Sequence, residues 1–356
     1  MKLLIAGGGT GGHVFPALAI AREWLKRTEG REVVIVGTER GIEAKLVPAA
    51  GLPLETLRVR GLKGLGGARL LRNLAVLPLG LWDSFAVLRR HRFAAALGVG
   101  GYASGPMMLA AIVGGVPAVL YEPNVQPGFT NGVLGRFARR IAVAHQETAA
   151  RWPAKAVVTG CPVRAEFFQA PERRFQPPLR LLVTGGSQGS RLINRAMMGA
   201  LDHLVARKDV LLVVHQTGER DFEEVRQAYA RRGIRGEVRP FLDDMPARFA
   251  AADLILCRSG ATTVSEVAAS GRAALFIPFG AAADSHQLGN ARAMERAGAG
   301  RVVVEAELTP ERLTAEILRL LDDPGQLEEM AKHARALARP RATEAIVDLL
   351  EEVARR

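Results

Sequence analysis

The amino-acid sequence predicts an α/β protein with two doubly wound domains that face each other across a ligand cleft. First, 356 residues are too many for one compact core and suit two domains. Second, continuous apolar runs of strand length alternate with amphipathic helical segments, as in parallel sheets covered on both faces. Third, segments 2–9 and 180–187 both run from apolar residues into glycines, so the second half repeats the plan of the first.

The elements of each half follow one another as strand, then helix. After the opening strand, the first half has strand-like runs at Val33–Val36, Ala94–Val99, Ala118–Leu120, Ile141–Val143 and Ala156–Val158, and helical patterns at Val14–Arg27 and Gly105–Ile112. The second half has strand-like runs at Val210–His215, Glu237–Arg239, Leu254–Leu256 and Ala273–Ile277, and helical patterns at Ser190–Arg207, Glu219–Arg232, Thr262–Ala269 and Gln287–Ala297. This alternation predicts one parallel sheet in each half.

The domain boundary is predicted near residue 163. Residues 1–163 form the first domain and residues 164–340 the second, and the Pro-rich, charged segment 170–178 is interpreted as a connector between the halves. The closing segment, 341–356, carries an apolar stripe and is expected to pack back on the first domain as a helix.

The composition describes a basic globular chain. It is 48% hydrophobic and 5% aromatic, with a net charge of +12. The charge favours anionic partners, but the scarcity of aromatic side chains argues against nucleic acid. Two distant cysteines, Cys161 and Cys257, offer neither a disulfide framework nor a Cys-based zinc site. The sequence shows no signal peptide and no uncharged apolar run of about 18 residues, which predicts a cytoplasmic protein.

The first glycine loop, Gly7–His13, lies between a predicted strand and a predicted helix. Its glycines let the backbone approach a phosphate or sugar closely, and the helix start adds positive potential. The same residues satisfy the dinucleotide pattern G-x-G-x-x-G, with Glu39 roughly placed to bind a ribose. A nicotinamide dinucleotide therefore stays an alternative ligand for this loop.

Two loops of the second half suit a nucleotide diphosphate. Gly185–Gly189 adds the hydroxyl of Ser187 to its backbone amides. In Arg258–Glu266 a Ser-Gly turn follows a strand, and small residues open a helix whose first amides point outward. Glu266 in that helix either complements the helix dipole or accepts the hydroxyls of a ribose, and the pattern leaves both possibilities open.

Five segments, taken in order along the chain, resemble one protein family. They are Gly8–Pro16, Gly100–Pro106, Gly185–Arg191, Phe241–Met245 and Arg258–Glu266. Together they resemble the MurG family of bacterial glycosyltransferases, which transfer N-acetylglucosamine (GlcNAc) from UDP-GlcNAc to lipid I, an undecaprenyl-linked MurNAc-pentapeptide. The resemblance covers nearly the whole chain and implies the GT-B fold, with two Rossmann-like domains. Where the family has His-Glu-Gln-Asn, this chain has Tyr-Glu-Pro-Asn at 121–124.

The resemblance implies a set of substrate-binding residues. In the first domain they are Thr10, Gly11 and Gly12 on the donor-sugar and acceptor side, and Asn124 for a GlcNAc hydroxyl. In the second domain they are Arg164 for the donor, Ser187 for a phosphate oxygen, Leu242 for uracil, Ala261, Thr262, Thr263, Val264, Ser265 and Glu266 for diphosphate and ribose, and Gln287 for a GlcNAc hydroxyl. The segment 278–287 matches the family pattern less well than the others.

His13 is predicted to be the general base. It follows the glycine loop at a helix start, where the positive helix end favours neutral imidazole. The alternative is that His13 only packs or caps the helix. Helix-start amides, Ser187 and Arg164 would disperse the leaving charge without a cofactor or metal, and the chain has no Asp-x-Asp motif. Direct attack by the acceptor would invert the anomeric centre, with Glu122 orienting the base or the acceptor.

The most hydrophobic stretch, 69–92, is predicted to contact a membrane. Arginines flank its apolar residues on both sides, which suits an element that dips into an anionic inner leaflet. The predicted contacts are Leu77, Leu79, Trp82 and Phe85, although a buried core helix also fits the stretch. A lipid-linked acceptor would require such docking, so the prediction is peripheral attachment to the cytoplasmic face of the cell membrane, beside other cell-wall synthesis proteins.

The leading prediction is therefore an inverting glycosyltransferase that converts lipid I into lipid II. Three alternatives remain. A GT-B sugar-nucleotide 2-epimerase would need acidic residues around C2 and C3 of the sugar. A nicotinamide oxidoreductase would use the first glycine loop for its cofactor. A non-catalytic basic protein of the membrane surface would not explain nucleotide-type loops in both halves.

Overall fold

The structure is a computed structural model that describes residues 1–59, 77–172, 175–280 and 285–355. Two compact units make up the chain. Unit 1 comprises Met1–Pro162 and Arg341–Arg356, and unit 2 comprises Val163–Pro340. Each unit contains one sheet in which all the strand pairs are parallel.

Unit 1 is built on a seven-stranded sheet with the order β3-β2-β1-β4-β5-β6-β7. Its strands are β1 Lys2–Gly7, β2 Glu32–Gly37, β3 Leu54–Thr56, β4 Ala95–Gly100, β5 Ala118–Glu122, β6 Arg140–Val143 and β7 Ala156–Val158. Its described helices are α1 Gly11–Arg27, α2 Glu43–Ala49, α3 Leu77–Arg90, α4 Ser104–Val113, α5 Phe129–Leu134 and α6 Gln146–Ala149. The order reverses beside β1, so the loops after β1 and β4 lie next to each other at the carboxyl edge of the sheet.

Unit 2 repeats this plan with six strands in the order β10-β9-β8-β11-β12-β13. Its strands are β8 Leu179–Thr184, β9 Leu211–Gln216, β10 Gly236–Arg239, β11 Leu254–Cys257, β12 Ala273–Phe276 and β13 Gly300–Val302. Its described α-helices are α7 Arg191–Leu204, α8 Phe222–Arg232, α9 Met245–Ala251, α10 Ala261–Ser270, α11 His286–Arg296, α12 Pro310–Leu321 and α13 Pro324–Ala336. Here the strand order reverses beside β8, which places the loops after β8 and β11 at the same edge.

Alternation along β1 explains why both faces of the unit 1 sheet are buried. Leu3 and Ile5 belong to one core cluster together with Trp24 of α1, whereas Leu4 and Ala6 belong to the cluster on the other face. All four of these side chains are fully buried. A strand buried on both faces reads as an unbroken apolar run, which is the pattern that predicted this sheet.

The closing helix, α14 (Ala342–Ala354), belongs to unit 1. Its buried Ile346 and Leu350 join the core cluster that contains Trp24. Ion pairs also join α14 to the rest of unit 1. Glu351 lies 3.0 Å from the guanidinium of Arg31, and Glu352 lies 2.7 Å from the guanidinium of Arg140. The chain therefore returns to its first unit after completing the second.

The interpretation of segment 170–178 as a connector between the halves is wrong. The chain passes from one unit to the other at Pro162 and Val163. Phe175 is buried in the core of unit 2, and the carbonyl of Pro171 accepts a hydrogen bond of 2.9 Å from the guanidinium of Arg272. Arg272 is itself buried and also donates to the carbonyls of Phe249 and Ser270, so it fixes this segment inside the unit.

Within the described residues, no helix is long and apolar enough to cross a bilayer.

The predicted strands match the observed strands to within two residues at either end. The sequence patterns missed the short strands β3 and β13 and several helices, of which α2, α12 and α13 are the clearest examples. Short elements and helices outside the strand–loop–helix repeat carry too little periodic signal to be found this way.

Candidate active site

The first glycine loop joins β1 to α1 in unit 1. Thr10 occupies the position before the helix, where its carbonyl accepts hydrogen bonds of 3.1 Å from the N–H groups of His13 and Val14. Thr10 and Gly12 are exposed and Gly11 is half-buried. The loop therefore presents helix-start backbone to solvent, as binding of a sugar or an anion requires.

His13 lies at this helix start, and the loop holds its ring at Nδ1. Its Nδ1 is 3.1 Å from the carbonyl oxygen of Gly8 and 3.2 Å from Oγ1 of Thr10. Because a carbonyl oxygen can only accept, we assign the ring proton to Nδ1, which leaves the lone pair on Nε2. Nε2 faces Gly100, whose φ of +96° and missing side chain make room for the ring, since a Cβ there would lie 2.9 Å from Nε2. The loop backbone and Gly100 thus fix the orientation of the imidazole.

Glu43 is a residue that the sequence reasoning missed. It is completely buried at the start of α2, and its carboxylate accepts hydrogen bonds from the N–H of Gly9 at 2.7 Å, the N–H of Thr38 at 2.9 Å and the hydroxyl of Thr38 at 2.7 Å. Burial raises the pKa of Glu43, but the hydrogen bonds from Gly9, its own backbone and Thr38 outweigh burial and lower the pKa overall. Glu39, the residue considered for a ribose, is exposed.

Glu122 organises the loop after β5. Its buried carboxylate accepts from the N–H and the side-chain amide of Asn124, each at 3.0 Å, and from the N–H of Gly128 and the amide of Asn131, each at 2.9 Å. The carboxylate therefore holds the half-buried Asn124 in place. Tyr121, which stands where the family has histidine, is fully buried in the core, and this burial raises the pKa of its phenol.

The matching glycine loop of unit 2 joins β8 to α7. Ser187 is exposed at its tip. Ser190 caps α7 by accepting from the N–H of Ile193 at 3.4 Å, and its hydroxyl also accepts from the guanidinium of Arg258 at 2.8 Å. This contact joins the loop after β8 to the loop after β11.

Gln216, at the end of β9, is a second residue that the sequence reasoning missed. Its buried side-chain amide donates to the carbonyl of Gly186 at 2.7 Å and accepts from the N–H of Leu242 at 3.1 Å. The side chain of Leu242 is buried, and its N–H is occupied by this bond. A backbone contact from Leu242 to a base would therefore come from its carbonyl oxygen.

The helix α10 begins one residue after the Ser-Gly turn that follows β11. Ala261, Thr262 and Thr263 form its half-buried first turn. The side chain of Val264 is in the core, and the hydroxyl of Ser265 donates to the carbonyl of Ala261 at 2.9 Å. The first-turn backbone amides of this helix are groups that could bind an anion.

Glu266 lies in α10, and Arg164 lies close enough to influence its charge. Burial raises the pKa of the Glu266 carboxyl to about 7, and the positive charge of Arg164 opposes this rise. Arg164 is exposed, with its guanidinium 5.2 Å from the ring centre of Phe167. The structure therefore brings these two predicted donor-binding residues together in unit 2.

Gln287, in α11, connects two loops through its side-chain oxygen. Its side-chain oxygen accepts from the N–H of Ser259 at 3.3 Å and from the N–H of Phe279 at 3.0 Å. These bonds connect the loops after β11 and β12. Part of the predicted segment before it, residues 281–284, lies outside the described residues.

The helix α3 exposes its large apolar side chains. Gly80, Ser84 and Val87 face the protein. Leu79, Trp82 and Phe85 are 45%, 69% and 37% exposed, and Leu77 is half-buried. The buried-helix alternative is thus wrong for this face. Of the flanking arginines, those at 69 and 72 lie outside the described residues, whereas those at 89 and 90 are exposed in the last turn of α3.

In the described ranges, no group of three or more His, Cys, Asp and Glu side chains could hold a metal ion.

His215 shows how a histidine can be purely structural. It is completely buried between Tyr229 and Asn194, with hydrogen bonds of 3.2 and 3.1 Å, and burial lowers its pKa to about 3.

Two parallel α/β units, each with a glycine loop after its first strand, are characteristic of glycosyltransferases with the GT-B fold, and the comparisons agree. Residues 3–143 match the glycosyltransferase family 28 N-terminal domain, and residues 180–349 match the family 28 C-terminal domain. The chain therefore belongs to glycosyltransferase family 28 and, within it, to the MurG family.

Individual relatives support this assignment over the full length. A protein of Myxococcus xanthus (strain DK1622) is 47% identical, with 98% of this chain and 92% of the relative covered. One of Anaeromyxobacter sp. (strain Fw109-5) is 46% identical, with 100% and 94% covered. Both are named UDP-N-acetylglucosamine–N-acetylmuramyl-(pentapeptide) pyrophosphoryl-undecaprenol N-acetylglucosamine transferase. The crystal structure of Acinetobacter baumannii MurG superposes with a TM-score of 0.82 at 34% identity, covering 99% of both chains.

These findings confirm the predicted fold class and the glycosyltransferase assignment. They contradict the oxidoreductase interpretation of the first glycine loop and the interpretation of the chain as a non-catalytic surface protein.

Proposed function

We propose that this protein transfers GlcNAc from UDP-GlcNAc to the C4 hydroxyl of MurNAc in lipid I and so produces lipid II. The observation that carries the proposal is the identity of 46–47%, over nearly the whole chain, to relatives named for this transfer. The oriented imidazole of His13 supports it from the structure, because the reaction needs a base for the incoming hydroxyl.

In this mechanism His13 takes the proton of the C4 hydroxyl on Nε2. The hydroxyl oxygen forms a bond to C1 of GlcNAc while the bond from C1 to the diphosphate breaks, and UDP leaves with the electron pair. Attack from the face opposite the diphosphate inverts C1, so an α-linked donor gives a β-linked product. Glu122 would orient the base or the acceptor through the loop whose Asn124 it holds.

Unit 2 supplies the donor-binding groups in this proposal. The first-turn amides of α10 and the hydroxyl of Ser187 would stabilise the diphosphate, and Arg164 would add positive charge as UDP leaves. Glu266 in its ionised form would accept the ribose hydroxyls. Leu242 would contact uracil, and Thr10, Gly11, Gly12, Asn124 and Gln287 would contact the sugars.

The decisive experiment is a reconstituted reaction with the full chain, UDP-GlcNAc and lipid I. We expect equal amounts of UDP and lipid II, with lipid II identified by mass spectrometry. Conversion of UDP-GlcNAc to its C2 epimer without an acceptor would instead establish the epimerase alternative.

The exposed face of α3 is proposed to dock on the anionic inner leaflet of the cell membrane. Leu79, Trp82 and Phe85 are exposed there, and arginines follow in the last turn of the helix. Such docking would bring the enzyme to its lipid-linked acceptor and to other cell-wall synthesis proteins at the cytoplasmic face.

Replacing Leu79 and Trp82 together by glutamate should weaken binding to vesicles of anionic phospholipid by about fivefold or more. Co-sedimentation with the vesicles measures the effect. Val210→Glu with Leu337→Glu is a matched control, because it makes the same charge change at exposed apolar positions of unit 2. Binding by the α3 variant that equals the control and ignores salt would refute the docking face.

A further inference from the structure

The peptide unit between Gly8 and Gly9 is hydrogen-bonded at both of its polar ends. Its N–H, on Gly9, donates to Oε2 of Glu43 at 2.7 Å. Its carbonyl oxygen, on Gly8, accepts from Nδ1 of His13 at 3.1 Å. One peptide group thus connects a buried carboxylate to the imidazole of the proposed base.

We propose that Glu43 is a positioning residue that controls the basicity of His13 through this peptide group. A peptide is polarisable, and a negative charge at its N–H end draws the positive charge of the N–H and pushes electron density toward the carbonyl oxygen. The Gly8 oxygen becomes a stronger acceptor for the Nδ1 proton of His13. The arrangement resembles the carboxylate–histidine pairs of other enzymes, with one peptide inserted between the two groups.

The surroundings of Glu43 are shaped to keep its carboxylate in this place. A Cβ added at Gly8, Gly37 or Gly41 would overlap the Glu43 side chain, so three glycines leave the space that it fills. The donors around it come from Gly9 and Thr38, and they favour the ionised form. A negative charge is therefore maintained under the loop at neutral pH.

This charge has a direct consequence for proton transfer. When Nε2 of His13 takes the proton of the acceptor hydroxyl, the ring becomes a cation whose Nδ1–H is bonded to the polarised Gly8 oxygen. The carboxylate stabilises that cation more than it stabilises the neutral ring. Two titratable side chains from other elements lie against this loop in the described part of the chain. They are Glu43 of α2 and Tyr102, which follows β4.

Glu43→Gln tests the proposal, because it keeps the size of the side chain and removes its charge. The probe is the carbon-13 signal of the histidine ring in the full-length protein without substrates, with the His13 signal assigned from its loss in His13→Gln. We expect the titration midpoint of His13 to move to lower pH by about half a unit or more. The acid limb of the kcat/KM profile should move with it, and the plateau should fall about threefold because a weaker base transfers the proton less well.

Thr38→Val is the matched control. It removes one hydrogen bond to the same carboxylate and keeps the charge and the Gly9 contact, so the His13 midpoint should stay at its wild-type value. Glu43→Asp is the second variant, in case Glu43→Gln does not fold. Its shorter side chain draws the carboxylate away from Gly9, and the midpoint should move in the same direction by a smaller amount.

The outcomes separate this inference from the proposed function on which its kinetic part rests. A midpoint that does not move in the folded Glu43→Gln or Glu43→Asp protein overturns the role of Glu43. A midpoint that moves while the kcat/KM profile does not follow supports the role of Glu43 and removes His13 as the base.

Discussion

The two glycine loops occupy equivalent places but are held by different chemistry. Each loop lies between the first strand of its unit and the following helix. A buried side chain near the end of the next strand along the chain forms a hydrogen bond with each loop. In unit 1 the carboxylate of Glu43 accepts from the N–H of Gly9. In unit 2 the neutral amide of Gln216 donates to the carbonyl of Gly186.

The difference matches what each loop is proposed to do. A carboxylate below the first loop favours a positive charge on His13, which the proposed proton transfer would create. A carboxylate below the second loop would repel a diphosphate, whereas a neutral amide fixes the loop and leaves its positive potential intact. The same backbone motif is therefore supported by a charged side chain in one unit and by a neutral side chain in the other, which fits the two proposed roles.

The largest expected effect is the loss of the base in unit 1. His13→Ala should reduce kcat by about a hundredfold or more, because the acceptor hydroxyl loses its proton acceptor. Steady-state kinetics with UDP-GlcNAc and lipid I measure it, and the exposed His203 replaced by alanine serves as a control. An effect on KM alone would make His13 a binding residue and remove the functional contrast between the loops.

In unit 2, the carboxylate predicted to bind the donor is that of Glu266 in α10. Glu266→Ala should raise the KM for UDP-GlcNAc roughly ten- to a hundredfold, since a charge-assisted hydrogen bond contributes about 1.5–3 kcal/mol. The measurement is the donor KM at pH 8, where the carboxyl is ionised. An unchanged donor KM would mean that Glu266 only complements the helix dipole.

The pH dependence of donor binding tests whether the ionised form of Glu266 binds UDP-GlcNAc. The pKa of Glu266 is raised to about 7, so the carboxyl is mostly protonated at pH 6 and mostly ionised at pH 8. If the ionised form accepts the ribose hydroxyls, the affinity for UDP-GlcNAc should rise about fivefold across this interval. Calorimetric titration of wild type against Glu266→Gln is the test, because the glutamine variant should show no such rise.

Gln216→Glu would break the contrast by placing a carboxylate under the second loop. We expect the affinity for UDP-GlcNAc to fall about tenfold, through repulsion of the diphosphate and loss of the donor to Gly186. Gln216→Met separates these causes, because it loses the hydrogen bonds without adding charge. Equal affinities in the two variants would show that charge beneath this loop is unimportant.

The smallest expected effect concerns the stability of unit 1 in acid. The hydrogen bonds to Glu43 lower its pKa below the usual value of 4.5, so its carboxylate stabilises the folded protein above that pH. This stabilisation is lost as the pH falls through the lowered pKa. The melting temperature of Glu43→Gln should therefore lie a few degrees below wild type at pH 7, and the difference should shrink below pH 4. A constant difference would argue that Glu43 is not ionised.

Parts of the site could be predicted from sequence because they depend on local pattern. The loop at Gly7–His13 and the helix start at Ala261 each follow an apolar strand and contain small residues, and both were found. The segment 170–178 was misinterpreted because its prolines and charges suggest a linker. Nothing in its composition shows that Phe175 is buried or that Arg272 binds the Pro171 carbonyl.

By itself the sequence determined most of the strands, the longer helices that follow them, the two repeated units and the glycine loops, since strand and helix periodicity and glycine turns are encoded by neighbouring residues. Only the tertiary structure decided which side chains lie beneath those loops. Glu43 meets Gly9 across 34 positions and Gln216 meets Gly186 across 30. A hydrogen bond between residues so far apart forms only because the parallel sheet brings the ends of neighbouring strands together at one edge.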